Sequence, residues 1–340
     1  MGKGKKSRDK HGLPETLFQK IQILDWNPFD ITSKQPHFSI RVSCVKLLGM
    51  VGIIVRIFAF FIQIIPYCVC RVLAQGIAFL CYSILKLRRR VVEENLQNCF
   101  GSQYSDIQLK TIARKTYQHF ALMIFEFIRM AKQDEAELNR MVKIHDIEIF
   151  QQLMKEGKGL VFTSGHLGNW EIATALIAYQ GYESYAYSRP LHDKSVDAWV
   201  NDIRGAHHIK MIHTKYSIRP VLEALQNNAV VGFLIDQDAG VRGTYIPFLG
   251  KPASTFLGPA YCAVKSGSPI LPVYILRGNT PGSYEVFLQK PLYPDLTQPE
   301  EEEILRLTQA TNQSLEAYIH KAPDQYFWFH KRWRNQPSPK

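Results

Sequence analysis

The 340-residue sequence predicts an α/β fold, a mixed and mostly parallel sheet covered by helices, preceded by a membrane-associated helical segment. Three observations lead there. From residue 157 onward, short β-rich runs alternate with helical stretches, as in strands joined by crossover helices. The first strand, Leu160–Phe162, ends at Ser164-Gly165 and opens into a helical pattern through Ile172, Ala173, Ala175, Leu176 and Ile177. Ahead of the alternation, residues 45–85 hold two long apolar stretches with basic residues at both outer flanks.

Residues 1–40 read as a basic N-terminal tail beginning MGKGKKSRDK. Lys6 stands where a myristoylation signal has Ser or Thr, and the polar-rich stretch before the first apolar run argues against a signal peptide. Residues 41–90 read as membrane-anchoring helices. Val45 to Ile65 is long enough to span a bilayer, although Arg56 at its centre costs ~2.5–3.5 kcal/mol on insertion scales. Pro66 ends it, and a second apolar helix from Cys68 to Leu85 carries Arg71 and runs into Lys86, Arg88, Arg89 and Arg90. With basic residues outside both ends, the positive-inside rule favours a hairpin or an interfacial anchor over one span that exports the rest. A buried core helix is the simpler rival.

Residues 91–340 read as the main domain, divided into a helical lead-in (91–156) and an α/β core (157–340). In the lead-in, Leu109, Ile112, Tyr117, Phe120, Met123, Ile124, Phe127 and Ile128 keep helical spacing from Ser105 to Met130. In the core, β-rich runs fall at 184–188, 209–213, 230–235, 269–276 and 284–289, and helices at 192–205, 216–227 and 256–266. Catalytic groups belong where such strands end.

The stretch that carries chemistry is Gly157 to Glu171, GKGLVFTSGHLGNWE. Residues five apart on a helix point about 140° from each other, so a His-x4-Glu pair meets only if His166 sits on the turn before the helix. The flanking glycines permit that turn. A carboxylate beside an imidazole holds its tautomer and stabilises the imidazolium, which makes His166 a candidate general base and Glu171 its orienter. The rival is a capping or core histidine beside a surface acid. A zinc site is weaker, since zinc helices place two histidines at i and i+4.

GLVFTSGHLGNWE resembles the signature block of the late acyltransferases of lipid A biosynthesis, the lauroyl/myristoyl transferase family. These belong to the larger glycerolipid acyltransferase superfamily, marked by His-x4-Asp/Glu. The resemblance runs from about Val42 to Arg334 in ordered blocks. They are the arginine-then-Asn95-Leu96 run, the Asp236-Gln237-Asp238 block with Pro247-Phe248-Leu249-Gly250, the Pro269–Val273 strand, and the terminal Gln325-Tyr326-Phe327-Trp328. It implies a glycerolipid acyltransferase-like fold at the cytoplasmic face of the inner membrane. It also implies transfer of a fatty acyl group from an acyl thioester, on acyl carrier protein or coenzyme A, to a phosphorylated glycolipid acceptor. His166 and Glu171 would be catalytic, and Arg189 would meet substrate phosphate or the developing oxyanion. Asp236, Asn169, Arg242 and Lys251 would bind substrate, with Arg204, His213 and Lys215 extending a basic rim. Asp236 would position Arg189 or a sugar hydroxyl, or simply cap its loop. No metal or redox cofactor is implied. The Pro-Glu-Gly motif of glycerol-3-phosphate acyltransferases is absent, which favours the lipid A type.

A net charge of +11 suits an anionic membrane, an anionic substrate or nucleic acid. No zinc-finger spacing, basic zipper or RNA-binding signature supports the last. Six cysteines include C-x-C at Cys68 and Cys70, neither a zinc nor a redox spacing, and read as reduced thiols. Two alternatives stay open: acyl transfer to another glycolipid or phospholipid, and a non-catalytic, basic membrane-binding protein.

Overall fold

A computed structural model describes residues 52–213 and 218–336, with the side chain of Arg242 excepted. The basic tail, the start of the first apolar stretch and Lys215 lie outside the described residues.

The centre is β2 (Leu160–Ser164), buried along its whole length. Its residues divide with period two, as a doubly covered strand requires. Leu160 and Phe162 pack with Leu271, Val273, Ile172 and Leu176 on one face. Val161 packs with Val231, Ile270, Tyr274, Leu225 and Leu315 on the other. A seven-stranded sheet runs β1-β9-β8-β2-β5-β3-β4. Here β1 is Val142–His145, β3 Ser184–Ser188, β4 Ile209–His213, β5 Val230–Leu234, β8 Ile270–Arg277 and β9 Tyr284–Leu288. Strands β8, β2, β5, β3 and β4 are parallel, and β9 turns antiparallel against β8. The mixed, mostly parallel α/β sheet expected from the alternation is therefore present.

Helices α1 (Gly52–Ile64) and α2 (Tyr67–Phe79), the latter continuing through a π turn at Leu80–Ile84, precede α3 (Arg89–Phe100) and α4 (Asp106–Met130). Ser105 starts α4 through a capping box with Gln108. Cys70, Ala74 and Ala78 bury the small-residue face of α2, which packs on α4. Arg129 closes the end of α1 by donating to the carbonyls of Ile62 and Ile65 at 2.9 and 2.7 Å. The opposite face stays open: Ile53, Ile57, Phe61, Val72, Phe79 and Ile84 are each more than half exposed. Among the described residues one helix, Tyr67–Ile84, is long and apolar enough to cross a membrane.

The remaining helices are α5 (Glu135–Met141), α6 (Ile147–Lys155), α7 (Trp170–Ala178), α8 (Lys194–Ala206), α9 (Arg219–Gln226), α10 (Gly258–Ser266) and α11 (Glu300–Lys321). Two features exceed the sequence expectation. Between Asp236 and the next helix lies a hairpin of β6 (Thr244–Phe248) and β7 (Lys251–Thr255), absent from the β-rich runs of the sequence. Helix α11, with four glutamates in its first turn where they meet the positive end of the helix dipole, lays Leu307, Leu315 and Ile319 against the sheet.

Candidate active site

Register brings the site together. Ser164 at the end of β2 pairs with Leu234 at the end of β5, and the Ile235 N–H still donates to the Ser164 carbonyl. Two residues beyond each paired end stand His166 and Asp236, side by side although 70 residues apart. One carboxylate oxygen of Asp236 lies 2.7 Å from His166 Nδ1, and the other accepts the His166 backbone N–H at 2.8 Å. Burial of Asp236 opposes its ionisation, but the imidazole and these two hydrogen bonds outweigh it and hold the carboxyl below its ordinary range. An ionised partner makes Nδ1 the protonated nitrogen and leaves the lone pair on Nε2. That nitrogen faces the Gln237 amide at 3.3 Å, and the ring is 16% exposed, enough to meet a substrate.

The turn that carries His166 is tied down on its far side. The C-terminal block pairs with it: the Gly168 N–H donates to Gln325 O, the Phe327 N–H to His166 O, and Leu167 bridges Tyr326. His119 on α4 reaches the Gly168 carbonyl through Nε2 at 3.1 Å. Gly168 has φ +61°, and a Cβ there would fall 1.8 Å from the Ile275 carbonyl oxygen, so the close approach needs glycine.

His166 opens onto a cleft of about 360 Å³ with both polar and aromatic lining. Arg189, Arg204, Gln237 and His330 are among its polar lining residues. Tyr187 packs on Phe233 at 5.1 Å and stacks on Phe256 at 6.1 Å, and all three rings line the cleft. His330 Nε2 accepts the Asp238 N–H at 2.8 Å, and burial pushes the pKa of this ring down to about 4. A fixed neutral imidazole, a second held by an ionised acid, and an arginine beside an apolar wall can activate a hydroxyl next to a carbonyl that carries an apolar chain.

Comparison with known proteins agrees. The family described as bacterial lipid A biosynthesis acyltransferase matches residues 35–335. The chain belongs to this family. A lipid A biosynthesis palmitoleoyltransferase of Escherichia coli K12 is 22% identical over 80% of this chain and 87% of its own length. The lauroyltransferase of the same strain is 23% identical, over 81% and 88%. A phosphatidylinositol mannoside acyltransferase of Mycolicibacterium smegmatis is 21% identical, over 71% and 78%. The protein is therefore an acyltransferase for lipid A or a related glycolipid, and needs an acyl donor and a glycolipid acceptor.

In this acyltransferase His166 sits on the turn and Glu171 in the first turn of α7, as the spacing requires, but they do not pair with each other. Both Glu171 oxygens are taken: Arg204 donates from Nε at 3.0 Å and from Nη2 at 2.6 Å, and Trp170 Nε1 donates at 3.1 Å. The carboxylate at His166 Nδ1 is that of Asp236, because strand register delivers it there while α8 delivers a cation to Glu171. Asp236 thus contacts His166 rather than Arg189. Arg189 follows β3 and lines the cleft, where burial lowers its pKa. Asn169 is wholly buried ahead of α7 and outside the cleft lining. Lys251 opens β7, also outside that lining, with Nζ 3.4 Å from Asn98 Oδ1. Arg242 ends a short 3₁₀ turn, Gly240–Arg242. Gln237 stood in the Asp236-Gln237-Asp238 block without a role of its own, whereas His330 and the clamp from His119 carried no local signal, since neither lies near His166 in sequence.

Proposed function

We propose that this acyltransferase moves a fatty acyl group from an acyl thioester directly onto a hydroxyl of a lipid A precursor, with His166 as general base and Asp236 as its orienter. The observation that carries this reading is the two-point grip of Asp236 on the His166 ring and backbone at the mouth of a cleft with an aromatic wall. His166 Nε2 takes the acceptor's hydroxyl proton as the oxygen attacks the thioester carbonyl carbon. The resulting imidazolium is stabilised by the Asp236 carboxylate. Arg189 on the cleft wall is placed to offset charge on the carbonyl oxygen. The tetrahedral intermediate then collapses, the C–S bond breaks, and the leaving thiolate recovers the proton from His166. No covalent acyl-enzyme forms.

Acyl carrier protein is the favoured donor, since a net charge of +11 favours acidic partners. The exposed apolar faces of α1 and α2 favour attachment at the cytoplasmic face of the inner membrane, where such an acceptor presents its hydroxyls. Glu171, locked to Arg204, shapes the cleft without handling the proton. The similarity to a phosphatidylinositol mannoside acyltransferase supports a mannosylated lipid as the second choice of acceptor.

Mass spectrometry of products from the purified chain tests the reading. Supplied with acyl carrier protein and coenzyme A thioesters and with both acceptor types, it is expected to add one acyl group to the lipid A precursor. Acylation of the mannosylated lipid alone would replace the acceptor, and no ester product from any pair would remove the proposal.

A further inference from the structure

Behind the His166 turn lies a second cavity, of about 260 Å³, on the far side of Gly168 from the catalytic cleft. Arg71 and Gln75 of α2, Lys115 and His119 of α4, Arg277 at the end of β8, and Asp324 line it. Arg71 is the arginine that an otherwise apolar helix has no packing reason to carry.

The charges count as follows. Arg277 is already matched, because both of its terminal nitrogens donate to the buried Glu126, at 2.7 and 2.8 Å. Arg71 and Lys115 have no ion pair among the described residues, and Asp324 is the one other lining acid. Two cations less one carboxylate leave a single positive charge in the cavity. One negative charge balances it, as on a phosphodiester; a phosphomonoester carries about −1.5 to −2.

A second observation points to hydroxyl recognition. His119 is 6% exposed and gives its Nε2 proton to Gly168 O, so Nδ1 holds a buried lone pair. No donor meets that atom among the described residues. Burial pushes the pKa of the ring down to about 3, so it stays neutral and accepts.

We infer that this cavity binds the hydroxyl-bearing phosphodiester headgroup of an anionic phospholipid, with Arg71 and Lys115 on the phosphate and His119 accepting from a headgroup hydroxyl. Helix α2 makes the lipid source natural, since the helix that supplies Arg71 also exposes Val72 and Phe79. The site is separate from the catalytic cleft and assigns a ligand that the proposed reaction does not consume.

The test uses the full chain in neutral detergent with short-chain, water-soluble lipids, so that bulk membrane adsorption does not enter. Dihexanoyl phosphatidylglycerol is expected to bind once per chain, at least tenfold tighter than dihexanoyl phosphatidylcholine, and inorganic phosphate is expected not to compete at equal concentration. Arg71→Gln with Lys115→Gln is expected to remove that preference, while Lys194→Gln with Lys290→Gln keeps it. Should the double variant fail to fold, Arg71→Gln alone carries the comparison, with an expected loss of threefold or more. Equal affinity for the two lipids, an unchanged double variant, or competition by phosphate would each overturn the assignment. Acyl transfer without added phosphatidylglycerol, measured alongside, reports on the catalytic reading separately.

Discussion

The nitrogen of His166 that faces Asp236 cannot also take a proton from substrate, so in the proposed mechanism Nε2 is the atom that acts as base. His166→Ala is expected to lower the acyl-transfer rate by roughly 10²–10⁴ while the chain still folds, since general-base removal costs about that much. His330 makes a different prediction. Its folded pKa, about 4, lies below the ordinary 6.5, so between these pH values the unfolded chain binds more protons than the folded one. Its contribution to stability is full above pH 6.5 and is lost as pH falls towards 4. Denaturant melts at pH 7 and pH 5 are expected to show a smaller acid loss in His330→Asn than in the parent, by up to about 2 kcal/mol.

At the scale of elements, parallel strands ending two positions short of His166 and Asp236 set the site, and a helix two elements further on occupies the acid first expected there. Arg204 and Glu171 are both largely buried, with side chains 19% and 10% exposed, and the ion pair raises the pKa of Arg204 despite its burial. Removing one partner strands the other: Arg204→Met is expected to destabilise by about 3–5 kcal/mol, and Arg204→Met with Glu171→Leu to recover most of that. Thermal melts of the two singles and the double close the cycle. What was legible here was local. A strand ending in glycine before a helix placed His166 on the turn and Glu171 in the first helical turn from spacing alone. The choice of partner was not, because cross-strand register and the arrival of α8 depend on contacts 70 and 33 residues away. The β6–β7 hairpin escaped for a related reason: prolines at 247 and 252 and Gly250 read as loop, yet Pro247 and Pro252 face each other across the ladder.

At the scale of the whole molecule, the sheet, the C-terminal block and α4 meet at the His166 turn, and α4 in turn carries the apolar helix α2. Trp328 and Tyr326, from the terminal block that carries part of the resemblance, are both buried, and their segment pairs with that turn. The strand–helix alternation made the core readable, whereas the open face of α1 and α2 appears only once burial is known. Ile57→Glu with Phe61→Glu, two residues more than half exposed, is expected to shift the chain from the membrane to the soluble fraction by severalfold without lowering its melting temperature. Sedimentation with neutral vesicles checks this, and unchanged recovery would place the bilayer contact elsewhere.

The most direct measurement sets two amide substitutions side by side in single-turnover acyl transfer. If Asp236 orients the base, Asp236→Asn, which leaves the shape of the pair but favours the wrong tautomer, loses at least tenfold more rate than Glu171→Gln. Should Glu171→Gln prove the more damaging while both variants melt like the parent, the carboxylate that serves His166 is not the one assigned here.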